Sequence, residues 1–126
     1  MLSNDKVSPP DWITPMAERA DLLQGTLDLL ILKTLVLGPL HGWAISKRLR
    51  QLSDEVLDVG QGSLYPALYR LEDRGWIRAE WGTSPEAGGR RAKFYSLTAD
   101  GRKQFAAERT QWRLFSTAVE RVLKAT

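Results

Sequence analysis

Apolar residues recur at helical spacing in the first third of the chain and predict two helices there. The first helix runs from Leu27 to about Leu37, with Thr26 as its predicted N-cap and Gly38-Pro39 as its end. It is apolar on nearly every side, which is typical of a helix that is buried on most sides. Because a small domain rarely covers such a helix alone, we expect a second chain to share the covering.

The second helix is predicted to begin near His41-Gly42 and to bury Ile45 and Leu49. We interpret the single histidine as structural, because no histidine, cysteine or acidic cluster lies near it in the sequence to complete a catalytic site. The connector from Ser53 to Gly60 contains apolar residues that form either one short strand or a loop anchor.

A third helix is predicted over 63–74. Ser63 is its expected N-cap, because the hydroxyl can accept a hydrogen bond from the first turn. Pro66 then falls in that turn, where its missing N–H does no harm, and Gly75 ends the helix. The leucines share one face, and the opposite face carries Tyr65, Tyr69 and Arg70. This outer face is typical of a helix that contacts another molecule, although an ordinary amphipathic helix has a similar pattern.

A β-hairpin is predicted after the third helix. Ile77 to Trp81 alternates between apolar and polar residues, Gly82 to Gly89 is rich in turn residues, and Arg90 to Leu97 forms the returning strand. Between Ala87 and Ala99 the sequence has no acidic residue, while basic side chains cluster at the tip. The hairpin therefore presents a positive tip.

The last element is predicted to be one long helix from Ala99 to near Lys124, capped by Thr98. Its apolar residues repeat at coiled-coil spacing and form a narrow seam: Phe105, Trp112, Phe115, Val119 and Val122. The seam either packs back on its own domain or contacts another copy. We favour another copy, because the seam is rich in aromatic residues and the rest of the chain has its own apolar residues.

The composition narrows the function classes. The chain has 126 residues, enough for one domain, and 43% of them are hydrophobic, which argues against global disorder. It contains no cysteine and one histidine, and its glutamates are scattered rather than paired. These observations disfavour an enzyme and indicate no cofactor and no metal site. A net charge of +3 is compatible with nucleic acid but does not establish binding. No apolar run is long enough for a membrane span, and a cytoplasmic location follows by default.

The order of the predicted elements is that of a winged helix-turn-helix, an α+β fold that is mainly α. We divide the chain into an N-terminal tail over 1–20, a DNA-binding domain over 21–97 and a dimerisation helix over 98–126. In this architecture the third helix enters the major groove, and the wing, predicted over 82–93, reaches the backbone or the minor groove.

The predicted DNA contacts follow from that arrangement. Polar and aromatic side chains of the third helix would face base edges, and the basic side chains of the wing and the second helix would face phosphates. The predicted DNA-binding residues are Gln61, Ser63, Tyr65, Pro66, Tyr69, Arg70, Arg90, Arg91, Lys93 and Lys47. Three of these residues have alternative structural roles. Ser63 could act as a helix cap alone, Tyr65 could pack on the hairpin, and Arg70 could pair with Asp73 or Glu72.

Four stretches resemble the PadR family of bacterial transcriptional regulators: Leu23–Leu32, Leu40–Ile45, Gly62–Glu72 and Arg90–Thr98. The single long C-terminal helix is similar to that of the shorter PadR type. The resemblance implies a cytoplasmic homodimeric repressor that binds double-stranded DNA and dimerises through its C-terminal helix. It also implies a possible small aromatic effector held at the dimer interface, for which Trp112 has the matching position. Trp43 departs from the tyrosine that many relatives have after the His-Gly pair.

A winged-helix module that binds another protein instead of DNA remains the alternative function. Such a module has little need for a basic wing tip, so Arg90, Arg91 and Lys93 count against it. Binding of the protein to DNA from its own upstream region separates the two functions.

Overall fold

The computed structural model describes residues 25–85 and 88–126, so the predicted N-terminal tail lies outside the described residues. Residues 25–34 form α1. They are followed by β1 (Leu40–His41), α2 (Gly42–Leu52), α3 (Gln61–Asp73), β2 (Ile77–Ser84), β3 (Arg90–Leu97) and α4 (Ala99–Lys124). The predicted order of helices and hairpin is therefore confirmed, as are the bounds of β3 and α4.

The sheet has three antiparallel strands in the order β1-β3-β2, where the sequence predicted only a two-stranded hairpin. In β1, Leu40 pairs with Tyr95 and His41 with Phe94. Two residues are too few to show a strand periodicity, which is why β1 escaped prediction. The predicted loop over 82–89 is also wrong at its start, because β2 continues as far as Ser84 opposite Arg90.

The core lies where α1, α2 and α3 meet one face of the sheet. Its fully buried side chains include Ile31, Leu32, Leu35, Ile45, Leu64, Leu68, Leu71 and Ile77. The leucine face predicted for α3 is thus confirmed. Burial of eight large apolar side chains, at about 1.5–3 kcal/mol each, holds α3 in a fixed orientation with its opposite face outward.

Two predicted helix caps are wrong. Thr26 lies inside α1, because Gly25 is already helical, and α1 ends early, with turns over 35–37. The third helix begins at Gln61, so Ser63 lies within the first turn and the N-cap is Gly60, which supplies no side-chain hydrogen bond. The first helical bond runs from the N–H of Leu64 to the carbonyl of Gly60, over 3.0 Å. Pro66 therefore lies in the second turn, where its missing N–H removes one bond of the helix.

Three other predicted helix ends are confirmed. The Nδ1 of His41 accepts a hydrogen bond from the N–H of Ala44 (3.2 Å) and caps α2, which is a structural role. Gly75 takes a left-handed conformation with φ of 77° immediately after α3. The Thr98 hydroxyl accepts from the N–H of Gly101 (3.0 Å) and donates to the carbonyl of Gly75 (2.6 Å). Thr98 thereby fixes the start of α4 against the end of α3.

The connector after α2 is a loop anchor, since residues 54–60 contain no strand. The Ser46 hydroxyl donates to the carbonyl of Val59 (3.1 Å), and the Val59 side chain packs against the core. Val56, in contrast, is exposed. The anchor sets the position from which α3 begins.

The C-terminal helix leaves the domain with much of its apolar seam uncovered. Phe105 packs against the core of its own domain, which is a departure from the predicted seam. Trp112 is 44% exposed and Phe115 49% exposed, and their rings lie 6.0 Å apart. Val119 and Val122 are exposed as well. The seam is therefore available to a second molecule from Trp112 onward.

Candidate nucleic-acid interface

The outward face of α3 is exposed along its whole length. Gln61, Ser63, Pro66 and Tyr69 are all exposed, and Tyr69 most strongly among the large side chains of the helix, at 78%. Because the core leucines fix the helix, this face has a defined orientation. All four of these predicted contacts are therefore accessible on this helix.

Tyr65 is placed by a glycine of α2. A Cβ atom built on Gly42 would lie 2.7 Å from the Tyr65 hydroxyl oxygen and 3.0 Å from Cζ, which is closer than such contacts allow. The ring therefore lies across the N-terminus of α2 while the residue remains partly exposed. Tyr65 thus packs on α2, and it also lines one groove with the hairpin residues Trp81 and Lys93.

Arg70 is engaged with a buried carboxylate. Its Nη2 lies 2.8 Å from Oδ1 of Asp28 in α1, and Nη1 of Arg74 lies 3.7 Å from Oδ2 of the same residue. Asp28 is only 5% exposed. Arg70 therefore pairs with Asp28 instead of the alternative partners Asp73 or Glu72, and its contact with DNA stays a prediction.

A signal for this ion pair was present in the sequence. Asp28 is the one acidic residue in a predominantly apolar helical segment, and a buried carboxylate needs a cationic or hydrogen-bonding partner. The partner stands 42 residues later, so local spacing gave no indication of which cation it would be.

The wing, defined as β2, β3 and the described residues 85, 88 and 89 between them, carries the predicted basic residues beside α3. Gly88 and Gly89 have φ values of 71° and 79°, so the tip requires glycine-like conformations. Arg90 and Arg91 are exposed. The Nζ of Lys93 lies 4.0 Å from Oε1 of Glu72, which links the wing to α3.

A groove of about 690 Å³ separates α3 from the wing and is mostly aromatic. We call it the α3–wing groove, and its main lining side chains are Trp43, Tyr65, Tyr69, Glu72, Trp81 and Lys93. Tyr95 also faces it, and burial, followed by the charge of Glu72, raises the pKa of that phenol above its ordinary value of 10.0.

Three cations near the groove lie over aromatic rings. The Nζ of Lys47 lies 5.0 Å from the Trp43 ring centroid, and the guanidinium carbon of Arg91 lies 5.3 Å from that of Trp81. Lys93 lies 6.0 Å from the ring of Tyr95. Cation–π contacts of this kind restrict where a long side chain can place its charge. All three cations belong to the predicted phosphate contacts, and the structure gathers them around one groove.

Sequence reasoning missed Trp81 as a member of this surface. The signal was the alternation in β2, which places Trp81 on the same side as Ala79 and opposite the intervening polar residues. A large apolar side chain that is 61% exposed at a groove is typical of a binding surface.

Within residues 25–85 and 88–126 there is no group of three histidine, cysteine or acidic side chains that could hold a metal ion. Over the same residues, none of the helices combines the length and apolar character needed to cross a membrane.

The three-helix body, the basic wing and the exposed third helix define a winged helix-turn-helix protein. The model of the Transcriptional regulator PadR-like family matches residues 31–107. The chain belongs to this PadR-like family, as its sequence motifs predicted. Membership in a family of transcriptional regulators also confirms that the chain is not an enzyme.

Solved structures agree with the family. A transcriptional regulator from Clostridium thermocellum is 30% identical, with 82% of this chain and 99% of that one covered and a TM-score of 0.74. A PadR-like transcriptional regulator from Bacillus cereus is 26% identical, with 84% and 99% covered and a TM-score of 0.70.

A third relative is longer than this chain. A 37.1 kDa protein of a Streptomyces fradiae transposon is 40% identical over 96 residues, which are 72% of this chain. The match spans only 26% of that relative's own length. The similarity is therefore to one part of that protein.

Proposed function

We propose that the protein is a homodimeric, sequence-specific repressor that binds a two-fold DNA operator in the cytoplasm. The observation that carries this proposal is the joint placement of an exposed α3 face and a basic wing on one side of the domain. In this arrangement α3 lies in the major groove and the wing lies on the backbone or in the minor groove. The winged-helix fold supports DNA binding.

The proposed contacts fall into two groups. On α3, the outward side chains meet base edges and nearby sugars: Gln61, Ser63, Tyr65, Pro66 and Tyr69. Around the α3–wing groove, cations meet phosphates: Lys47, Arg90, Arg91 and Lys93. Arg70 is not in either group, because its guanidinium bonds to Asp28. Phosphate contacts position a protein on the duplex, and base contacts give it specificity.

The proposed dimer uses the exposed part of the α4 seam from Trp112 to Val122. Two copies packed along this seam would cover apolar side chains that one chain leaves open. An adjacent groove of about 490 Å³ lies between α1 and α4 and is lined by Leu29, Trp112 and Phe115 among others. We place the possible small aromatic effector here, beside Trp112.

Salt dependence of duplex binding tests the DNA-binding part of the proposal. Phosphate neutralisation releases counterions, so the affinity should fall steeply as salt rises. Replacing Arg90 and Arg91 by Ala should weaken binding to every duplex and reduce the salt slope by about 2, roughly 1 for each lost phosphate contact. The matched control is Arg121→Ala with Lys124→Ala in the last turn of α4, which removes the same charge. Binding and slope that are unchanged in the wing variant would remove the wing from the interface.

Sedimentation equilibrium tests the dimer. Phe115→Glu with Val119→Glu places charges in the seam and should give monomers that lose tight binding to a two-fold site. Thr110→Glu with Thr117→Glu adds the same charge at exposed positions of α4 on the side opposite the seam, and it should remain dimeric. A wild-type protein that is monomeric at micromolar concentration would contradict this part of the proposal.

A further inference from the structure

Two tryptophans from different elements line the α3–wing groove. Trp43 stands in the first turn of α2, and Trp81 stands on β2. Both indoles are more than half exposed. Large, exposed apolar side chains that line one groove are typical of a surface that another molecule covers.

We propose that Trp43 and Trp81 hold one sugar–phosphate strand of duplex DNA between them, so that both are DNA-contacting residues in addition to the cations. This inference rests on the proposed DNA-binding function. It assigns the α3–wing groove to the backbone strand that separates the major groove, which α3 enters, from the minor groove, which the wing approaches.

The distribution of charge favours a phosphodiester strand as the occupant. Each tryptophan carries a cation over its ring, Lys47 on Trp43 and Arg91 on Trp81. Inside the groove, Lys93 lies beside Glu72, so the positive and negative charges there are balanced. The cations that lie over the two tryptophan rings would flank a strand that runs along the groove.

The chemistry of the two indoles fits a sugar–phosphate strand as well. In an intact duplex the bases are stacked on each other, and the backbone exposes the C–H surface of deoxyribose and the phosphate oxygens. An indole offers an apolar face to the sugar and an Nε1–H donor to a phosphate oxygen. Such contacts bind without reading sequence, so they should add equally to the affinity for every duplex.

The test compares tryptophan-to-phenylalanine variants in duplex-binding titrations at several salt concentrations. Trp43→Phe with Trp81→Phe keeps a ring under each cation but removes the N–H and part of the apolar area. We expect an affinity about tenfold lower for all duplexes, with an unchanged salt slope, because no charge is removed. This result differs from that of Arg90→Ala with Arg91→Ala, which lowers the slope.

Trp76→Phe is the matched control. Trp76 also lies under an arginine, with the guanidinium carbon of Arg74 5.1 Å from its ring centroid, but it does not line the groove. Its variant should bind duplex as the wild type does. A thermal unfolding midpoint close to that of the wild type verifies that the groove variants are folded.

Acrylamide quenching of indole fluorescence gives a second measurement. Saturation with duplex should shield part of the wild-type emission from acrylamide. The shielding should persist in Trp76→Phe and be lost in the double groove variant. Wild-type affinity of the double variant, with its shielding retained, would overturn the inference while leaving the proposed function intact. A wild-type protein that binds no duplex would overturn both.

Discussion

The two flanks of α3 carry similar residue types but have different roles. On the flank toward α1, Arg70 bonds to Asp28 and is held inward. On the flank toward the wing, Tyr65 lies across Gly42 and borders an open aromatic groove. The neighbouring element sets the difference. Helix α1 contributes the buried carboxylate of Asp28, whereas α2 contributes Gly42 and the wing is separated from α3 by the α3–wing groove. A polar residue next to a buried face can therefore be either a structural anchor or part of a binding surface.

Removing the ion pair between Arg70 and Asp28 should have the largest effect on stability. Arg70→Ala leaves the carboxylate of Asp28 buried and removes its shorter contact, while the longer one to Arg74 remains. Breaking a buried ion pair from one side costs about 3 kcal/mol, and partial exposure of Arg70 puts the expected loss at about 2–3 kcal/mol of unfolding free energy. Urea denaturation measures it.

An exposed ion pair serves as the control for that measurement. Arg50 lies 3.3 Å from Glu55, and both side chains are more than half exposed. Arg50→Ala should cost less than about 1 kcal/mol. Equal losses of unfolding free energy for Arg70→Ala and Arg50→Ala would show that the contact between Arg70 and Asp28 does not stabilise the fold more than an exposed ion pair does.

Filling the space at Gly42 should have an intermediate effect on the other flank. Gly42→Ala puts a Cβ against the Tyr65 ring, and overpacking of this kind costs about 1–3 kcal/mol. Part of that cost is offset by the higher helix propensity of alanine, so we expect a net loss of about 1 kcal/mol in thermal unfolding.

Gly62→Ala is the matched control for Gly42→Ala. A Cβ at Gly62 meets no atom within 4 Å, so this variant should be as stable as the wild type or more stable by up to about 1 kcal/mol. A Gly42→Ala variant that gains as much stability as Gly62→Ala would contradict the packing assigned to Tyr65.

Tyr69 should have the smallest effect on stability and a clear effect on binding. It is the most exposed large residue of α3, so Tyr69→Ala should change the unfolding free energy by less than about 0.5 kcal/mol. The variant's preference among duplex sequences should change, because the residue lies on the proposed base-reading face. Competition binding with single base-pair variants measures this, and an unaltered preference would remove Tyr69 from that face.

Periodicity predicted much of this fold. The leucine face of α3, the return strand Arg90–Leu97 and the helix Ala99–Lys124 depend on local spacing and turn residues, and the structure has them as expected. Helix starts were less predictable. Several consecutive residues can begin a helix at similar cost, and Gly60 does so without any side-chain bond.

The residue types of the candidate surface were predictable from the sequence, but the residues that they contact within the chain were not. The basic wing and the outer tyrosines were visible in sequence order alone. The contact between Asp28 and Arg70, the two-residue strand β1 and the placement of Trp43 and Trp81 in one groove join distant parts of the chain. Such contacts are decided by tertiary packing, which local patterns do not encode.

Selection of DNA by the purified protein tests the central claim, that α3 reads DNA as one half of a pair. Random duplexes retained by the protein would be sequenced and aligned. We expect an inverted repeat with half-sites about one helical turn apart, roughly 10 base pairs centre to centre. Retained duplexes with no shared sequence, or with a single unrepeated half-site, would contradict the account.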